Sequence, residues 1–138
     1  MKRLHVLLSI FVISGLVSGL GGCRSNPFED LPDPLKARVS TFEDVVRWGD
    51  LHKMYAFQKL ESDEPVQIQE GLENIRVTGY ELVEPINPIE PMRWRQAAQI
   101  NYVRTDRQVV RQVIDYQVWE SEDEGKTWYR TTPVPVFK

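Results

Sequence analysis

The chain has 138 residues, with 17 basic against 20 acidic side chains, a net charge of −3 and a single cysteine. A chain of this length holds one hydrophobic core. Its mildly acidic balance argues against a nucleic-acid surface, which needs a basic footprint, and a lone thiol excludes a scaffold stapled by internal disulfides.

Met1, Lys2 and Arg3 precede an apolar run from Leu4 to Leu20, interrupted only by the titratable His5. A basic start followed by an apolar stretch is the pattern of an export signal. The run is short for a spanning helix, and Ser14, Gly15, Ser18 and Gly19 loosen its second half, so a cleaved leader over residues 1–22 is expected. Leu20-Gly21-Gly22-Cys23 resembles the lipobox of bacterial lipoproteins. That resemblance implies a diacylglyceryl group on the Cys23 sulfur, cleavage before Cys23, and acylation of the new amino terminus. Arg24 stands where an Asp would retain such a lipoprotein at the inner membrane, so the resemblance implies the outer membrane, facing the periplasm. Three acyl chains would anchor the protein stably, since two lipid signals already suffice. The mature chain would keep 116 residues, 15 of them basic and 20 acidic, for a net charge of −5.

Pro27, Pro32 and Pro34 punctuate "RSNPFEDLPDPL", which is expected to be an extended tether without helix. The organisation read from this is the lipidated Cys23 with a proline-rich tether over 23–39, then a folded domain over 40–138. Ser40-Thr41-Phe42-Glu43 fits a capping box that starts a helix. Gly49-Asp50 then breaks it: Gly is poor inside a helix, and Asp50 can cap a second helix from Leu51 to about Lys59. "VVRWGDLHKMYAF", residues 45–57, resembles the helix, Gly-Asp, helix element of NTF2-like domains, the cone-shaped α+β fold shared with ketosteroid isomerases.

From Leu72 to Val83 the residues favour a strand, with Gly79 marking a bulge that turns Tyr80 and Leu82 inward. Pro85, Pro88 and Pro91 are expected to form a loop, since prolines so close exclude a central strand. Residues 92–104 and 108–120 read as a hairpin around Thr105, Asp106 and Arg107. That loop sets Tyr102 opposite Val110, Ala98 opposite Ile114, Gln96 opposite Tyr116 and Trp94 opposite Val118, giving a mostly apolar face. Arg93, Arg95, Asn101, Arg111, Asp115 and Gln117 then fall on a solvated outer face. A last strand comes from "ESEDEGKTWYRT", and "PVPVFK" ends in a stiff extended tail. The fold expected is α+β: an N-terminal helix or broken helix pair packed in a curved four-stranded antiparallel sheet, NTF2-like or cystatin-like.

Ser121, Asp123, Gly125, Thr127 and Trp128 match the Asp-box pattern S-x-D-x-G-x-T-W, known from sialidases and other β-propeller glycosidases. The box there is a structural hairpin, and one copy in a chain this short cannot make a propeller. Ser and Asp oxygens accept turn amides, Gly takes a positive φ, and Trp packs beneath.

A ketosteroid-isomerase-like site needs an inward carboxylate and an oxyanion-binding Tyr, and strict alternation leaves no carboxylate inside. Tyr55, Trp94, Tyr102 and Tyr116 are the candidate cavity-lining residues, read as packing groups. His52 has no second His, Cys or Ser in a metal or triad spacing, and the acidic run from Glu120 to Glu124 lacks an EF-hand pattern, so neither metal nor cofactor is expected. Arg93, Arg95 and Arg111 offer a surface for an acidic partner or lipid headgroups. The functional expectation is a non-catalytic accessory or binding module of the outer membrane. It would be held by its lipid and would take an envelope protein or, by resemblance to NTF2-like domains, a second copy as partner. The alternative is a small apolar-ligand-binding or ketosteroid-isomerase-like domain using the cone cavity.

Overall fold

The computed structural model describes residues 30–62 and 65–138, and the leader and Cys23 lie outside the described residues. One helix, α1 (Asp33–Trp48), and a 3-10 helix (Leu51–Phe57) precede an antiparallel sheet of β1 (Ile75–Glu90), β2 (Arg93–Arg104), β3 (Val110–Glu120) and β4 (Tyr129–Arg130), in that spatial order. The architecture is α+β, as expected, with the helices on one face of a four-stranded sheet.

The helix starts earlier than the capping box implied. Pro32 is its N-cap residue and Pro34 lies in its first turn, where the missing N–H is one of the amides a helix leaves unpaired anyway. Pro32 and Pro34 therefore open α1, while residues 23–29 of the expected tether lie outside the described residues, and Ser40 and Thr41 fall in the middle of α1, where the Thr41 hydroxyl donates to Ala37 O. The break at Gly49-Asp50 is present. Gly49 ends α1 in an extended conformation, and the Asp50 carboxylate accepts from His52 N at 3.0 Å. The second helix is 3-10 and stops at Phe57.

Leu35, Phe42 and Val46 recur on one side of α1 and are buried against the sheet. Phe42 meets Phe57 and Trp119 edge to face at centroid distances of 5.3 and 5.7 Å, and Phe57 meets Trp119 at 6.2 Å. These aromatic groups, with Met54, Ile100 and Trp128, fill the helix–sheet interface. Burying such a ring is worth about 3–5 kcal/mol, judged by truncation to Ala.

β1 runs through Pro85 and Pro88, which were expected to lie in a loop; only Pro91 falls in the turn to β2. Prolines are tolerated because β1 is an edge strand, where alternate N–H groups face no neighbour. The register slips at four places along it, the first between Val77 and Gly79, where the bulge was expected. Tyr80 turns inward and is buried, whereas Leu82 stays partly exposed.

The β2–β3 hairpin differs by one residue from the expected register. Val103 pairs with Val110, Tyr102 with Arg111, Ala98 with Asp115, Gln96 with Gln117 and Trp94 with Trp119. The connection is longer because both Arg107 N and Gln108 N donate to Arg104 O and Gln108 adopts φ +53°. Since strand faces alternate, a slip of one exchanges them. Asp115 and Gln117 therefore point into the core, and Tyr116 points out, 67% exposed.

Candidate functional site

The register places a carboxylate inside the domain, where the sequence reading had none. Asp115 is buried and paired with Arg130, which is also fully buried. Arg130 Nη1 donates to Asp115 Oδ2 at 2.9 Å and Nη2 to Oδ1, while Nε donates to Thr132 O at 2.9 Å. Its guanidinium also sits 5.1 Å from the centroid of the Phe42 ring. Gln117 Nε2 donates both to Asp115 Oδ2 and to the Tyr80 hydroxyl, and Gln117 Oε1 accepts from Gln96 Nε2 and Trp119 Nε1. Burial pushes the Tyr80 hydroxyl well above the ordinary tyrosine range, so it stays protonated. A carboxylate and a tyrosine thus lie close together, but Asp115 is charge-paired and its oxygens are held by Arg130 and Gln117. The network fixes strand register and leaves no free base.

The four candidate cavity-lining residues are not brought together around one space. The Tyr55 hydroxyl accepts from Gln69 N at 2.9 Å, Trp94 packs in the core opposite Trp119, and Tyr116 is on the outer face. Tyr102 is buried under the tail: its ring meets Phe137 at 5.0 Å, and its hydroxyl donates to Lys138 O and accepts from Lys138 N. Gln69 grips the same stretch like a strand partner, donating to Phe137 O at 2.6 Å and accepting from Phe137 N at 3.0 Å.

This clamped tail forms one wall of an open groove of about 860 Å³. The other wall is β3 from Arg111 to Tyr116, and Tyr102 and Tyr116 both border it. The groove exists because the β3–β4 ladder is cut short. Trp119 pairs with Arg130, and Thr131 N donates to Val118 O at 2.9 Å. Continuing that register would set residues 133 and 135 to donate to Tyr116 O and Ile114 O. Both are proline, with no N–H to give. The tail peels away, and the β3 edge from Gln112 to Ile114 has no main-chain partner among the described residues. Alternating prolines were legible in the sequence as a stiff tail; that they fall on the donor positions follows only from the register.

The Asp box is a closed turn. Ser121 Oγ donates to Asp123 Oδ1 and accepts from Gly125 N, Thr127 N donates to Asp123 Oδ1 at 2.7 Å, and Trp128 Nε1 donates to Gly125 O. Gly125 has φ +86° and Trp128 is buried. Hydrogen bonds from the Thr127 hydroxyl and amide hold the Asp123 carboxyl down at about 2. His52 pairs with Asp50 at 2.7 Å on the surface. Arg93 and Arg95 on the outer face pair with Glu120 at 2.7 Å and Glu84 at 2.9 Å. Among the described residues no group of three His, Cys, Asp or Glu could hold a metal, and no helix is long and apolar enough to cross a membrane. No family model, curated protein or solved structure matches the chain.

Proposed function

We propose that the protein is an outer-membrane lipoprotein facing the periplasm, anchored through Cys23, whose NTF2-like or cystatin-like domain serves as a non-catalytic accessory or binding module. The anchor is supported by the basic start, the apolar run and the Leu20-Gly21-Gly22-Cys23 motif. The role is carried by one observation: the helix–sheet interior is packed with aromatic rings and its carboxylate is held by Arg130, while the open space lies outside, along β3. Space of that kind suits a polypeptide lying on the surface better than a small molecule enclosed in a cone. Mass spectrometry of the mature amino terminus, together with membrane fractionation, tests the anchor. Triacylated Cys23 in outer-membrane fractions is expected, and Cys23→Ala should leave a precursor or a released protein. An unmodified Cys23 thiol or a retained leader would overturn the anchor.

A further inference from the structure

We propose that the free edge of β3 binds an extended peptide with carboxylates at its C-terminal end, which adds to the sheet as an antiparallel strand between β3 and the tail. The inference rests on the reading of the domain as a binding module and names what that module takes.

An unpaired strand edge presents a row of N–H and C=O groups that template another strand. In an antiparallel ladder, alternate residues turn both groups to the same neighbour. Val118 turns its carbonyl to Thr131, so Tyr116, Ile114 and Gln112 turn theirs toward the groove. Arg130 Nη2 reaches Tyr116 O only at 3.4 Å. From Gln112 to Tyr116 the edge offers about 17 Å, room for five residues of strand. Folded edges are usually blunted by lysine, proline or a covering segment. Between Val110 and Val118 this one carries no lysine or proline, and the tail that could cover it is barred from pairing by Pro133 and Pro135.

The surroundings fix the chemistry of the occupant. On the outer face Tyr116, Ile114 and Val110 stand beside the edge, with Tyr116 and Val110 each 67% exposed. Such neighbours favour β-branched side chains across the strand. The charged groups lining the groove are Arg111, Lys138 and Asp115. Asp115 is neutralised by Arg130, which leaves two cations at one end. Arg111 donates to Lys138 O and keeps further N–H groups available. β4 blocks the Val118 end, so an antiparallel strand starts there and brings its C-terminal end to Arg111 and Lys138. A second copy of β3 is the poorer fit, because its two carboxylates, Asp115 and Glu120, are already paired with Arg130 and Arg93 and would leave Arg111 and Lys138 unmatched.

The test is fluorescence polarisation with the full mature chain in nanodiscs and the probe fluorescein-TVTVTE, with the dye on its amino end in place of a free amine and with a free C-terminal carboxylate. Saturable binding is expected, weakened at least tenfold in a probe ending in glutamine amide, and weakened similarly by Arg111→Gln. N-methylation of alternate probe amides facing β3 should abolish binding, whereas methylation of the other set should not. The paired substitution Pro133→Thr and Pro135→Val restores the two donors, lets the tail zip onto β3, and should weaken the probe tenfold or more without lowering Tm. Equal binding of both methylated probes, no saturable binding, or unaltered affinity in the proline variant would overturn the inference. A Gln112→Cys chain that forms a β3–β3 disulfide dimer without peptide would overturn it too, by assigning the edge to a second copy. Mass spectrometry of the same samples reads the state of Cys23, so failure of the anchor is seen separately from failure of the groove.

Discussion

Replacing Asp115 by Ala removes the only carboxylate paired with the buried Arg130 guanidinium among the described residues. Both side chains are essentially inaccessible to water, and two of the guanidinium's hydrogen bonds end on this carboxylate. Carbonyls of Thr132 and Pro133 remain as acceptors, but neither carries a countercharge. Removing one member of such a pair costs about 3–5 kcal/mol, because an uncompensated charge is left in the core. Against a typical domain stability of about 5–15 kcal/mol this is a large fraction. At about 4–8 °C per kcal/mol for a domain of this size, the Tm should fall by about 12 °C or more. Urea unfolding followed by tryptophan fluorescence measures it, since Trp119 Nε1 donates to the same network through Gln117. The paired substitution Asp115→Leu and Arg130→Met removes both charges and should destabilise less than Asp115→Ala alone, with a coupling of about 2 kcal/mol or more. A cost under about 1 kcal/mol for the single variant, or simple additivity of the two sites, would refute the assignment of the pair as the lock on the β3 register.

Gly49→Ala should destabilise by about 1–3 kcal/mol, because the added Cβ would lie 2.9 Å from Val45 O and 3.0 Å from its Cα, both backbone atoms that cannot yield; thermal unfolding reads it. The depressed Asp123 carboxyl stabilises the Asp-box turn above pH 4, and that contribution disappears as pH falls through about 2. Carboxyl NMR should place its midpoint near 2, and a midpoint near 4 would show that the turn does not hold it. Burial raises Tyr80, so its stabilising effect is complete below pH 10 and fades as the solution becomes more alkaline. Ultraviolet titration should show one tyrosine that fails to ionise until the protein unfolds, and Tyr80→Phe should remove that late step.

Local chemistry was readable where a few neighbouring residues settle the outcome. Gly49-Asp50 breaks the helix pair, Gly79 starts the bulges of β1, and Ser121 to Trp128 close a turn whose bonds match those the residue types require. Proline was misread twice for one reason: its cost depends on whether its N–H position has a partner. Pro34 opens α1 and Pro85 lies on an edge strand, and neither displaces a needed donor.

The sequence alone determined the order of the elements, two helical segments and then four strands, because periodicity and turn chemistry act over a few residues. The hairpin register needed the whole fold. Counting apolar matches kept Asp115 out of the core, and nothing nearby in sequence showed that Arg130, arriving from β4, would neutralise it there. The groove has the same origin: Pro133 and Pro135 leave an edge open only because β3 and β4 pair so that both fall where a donor was required.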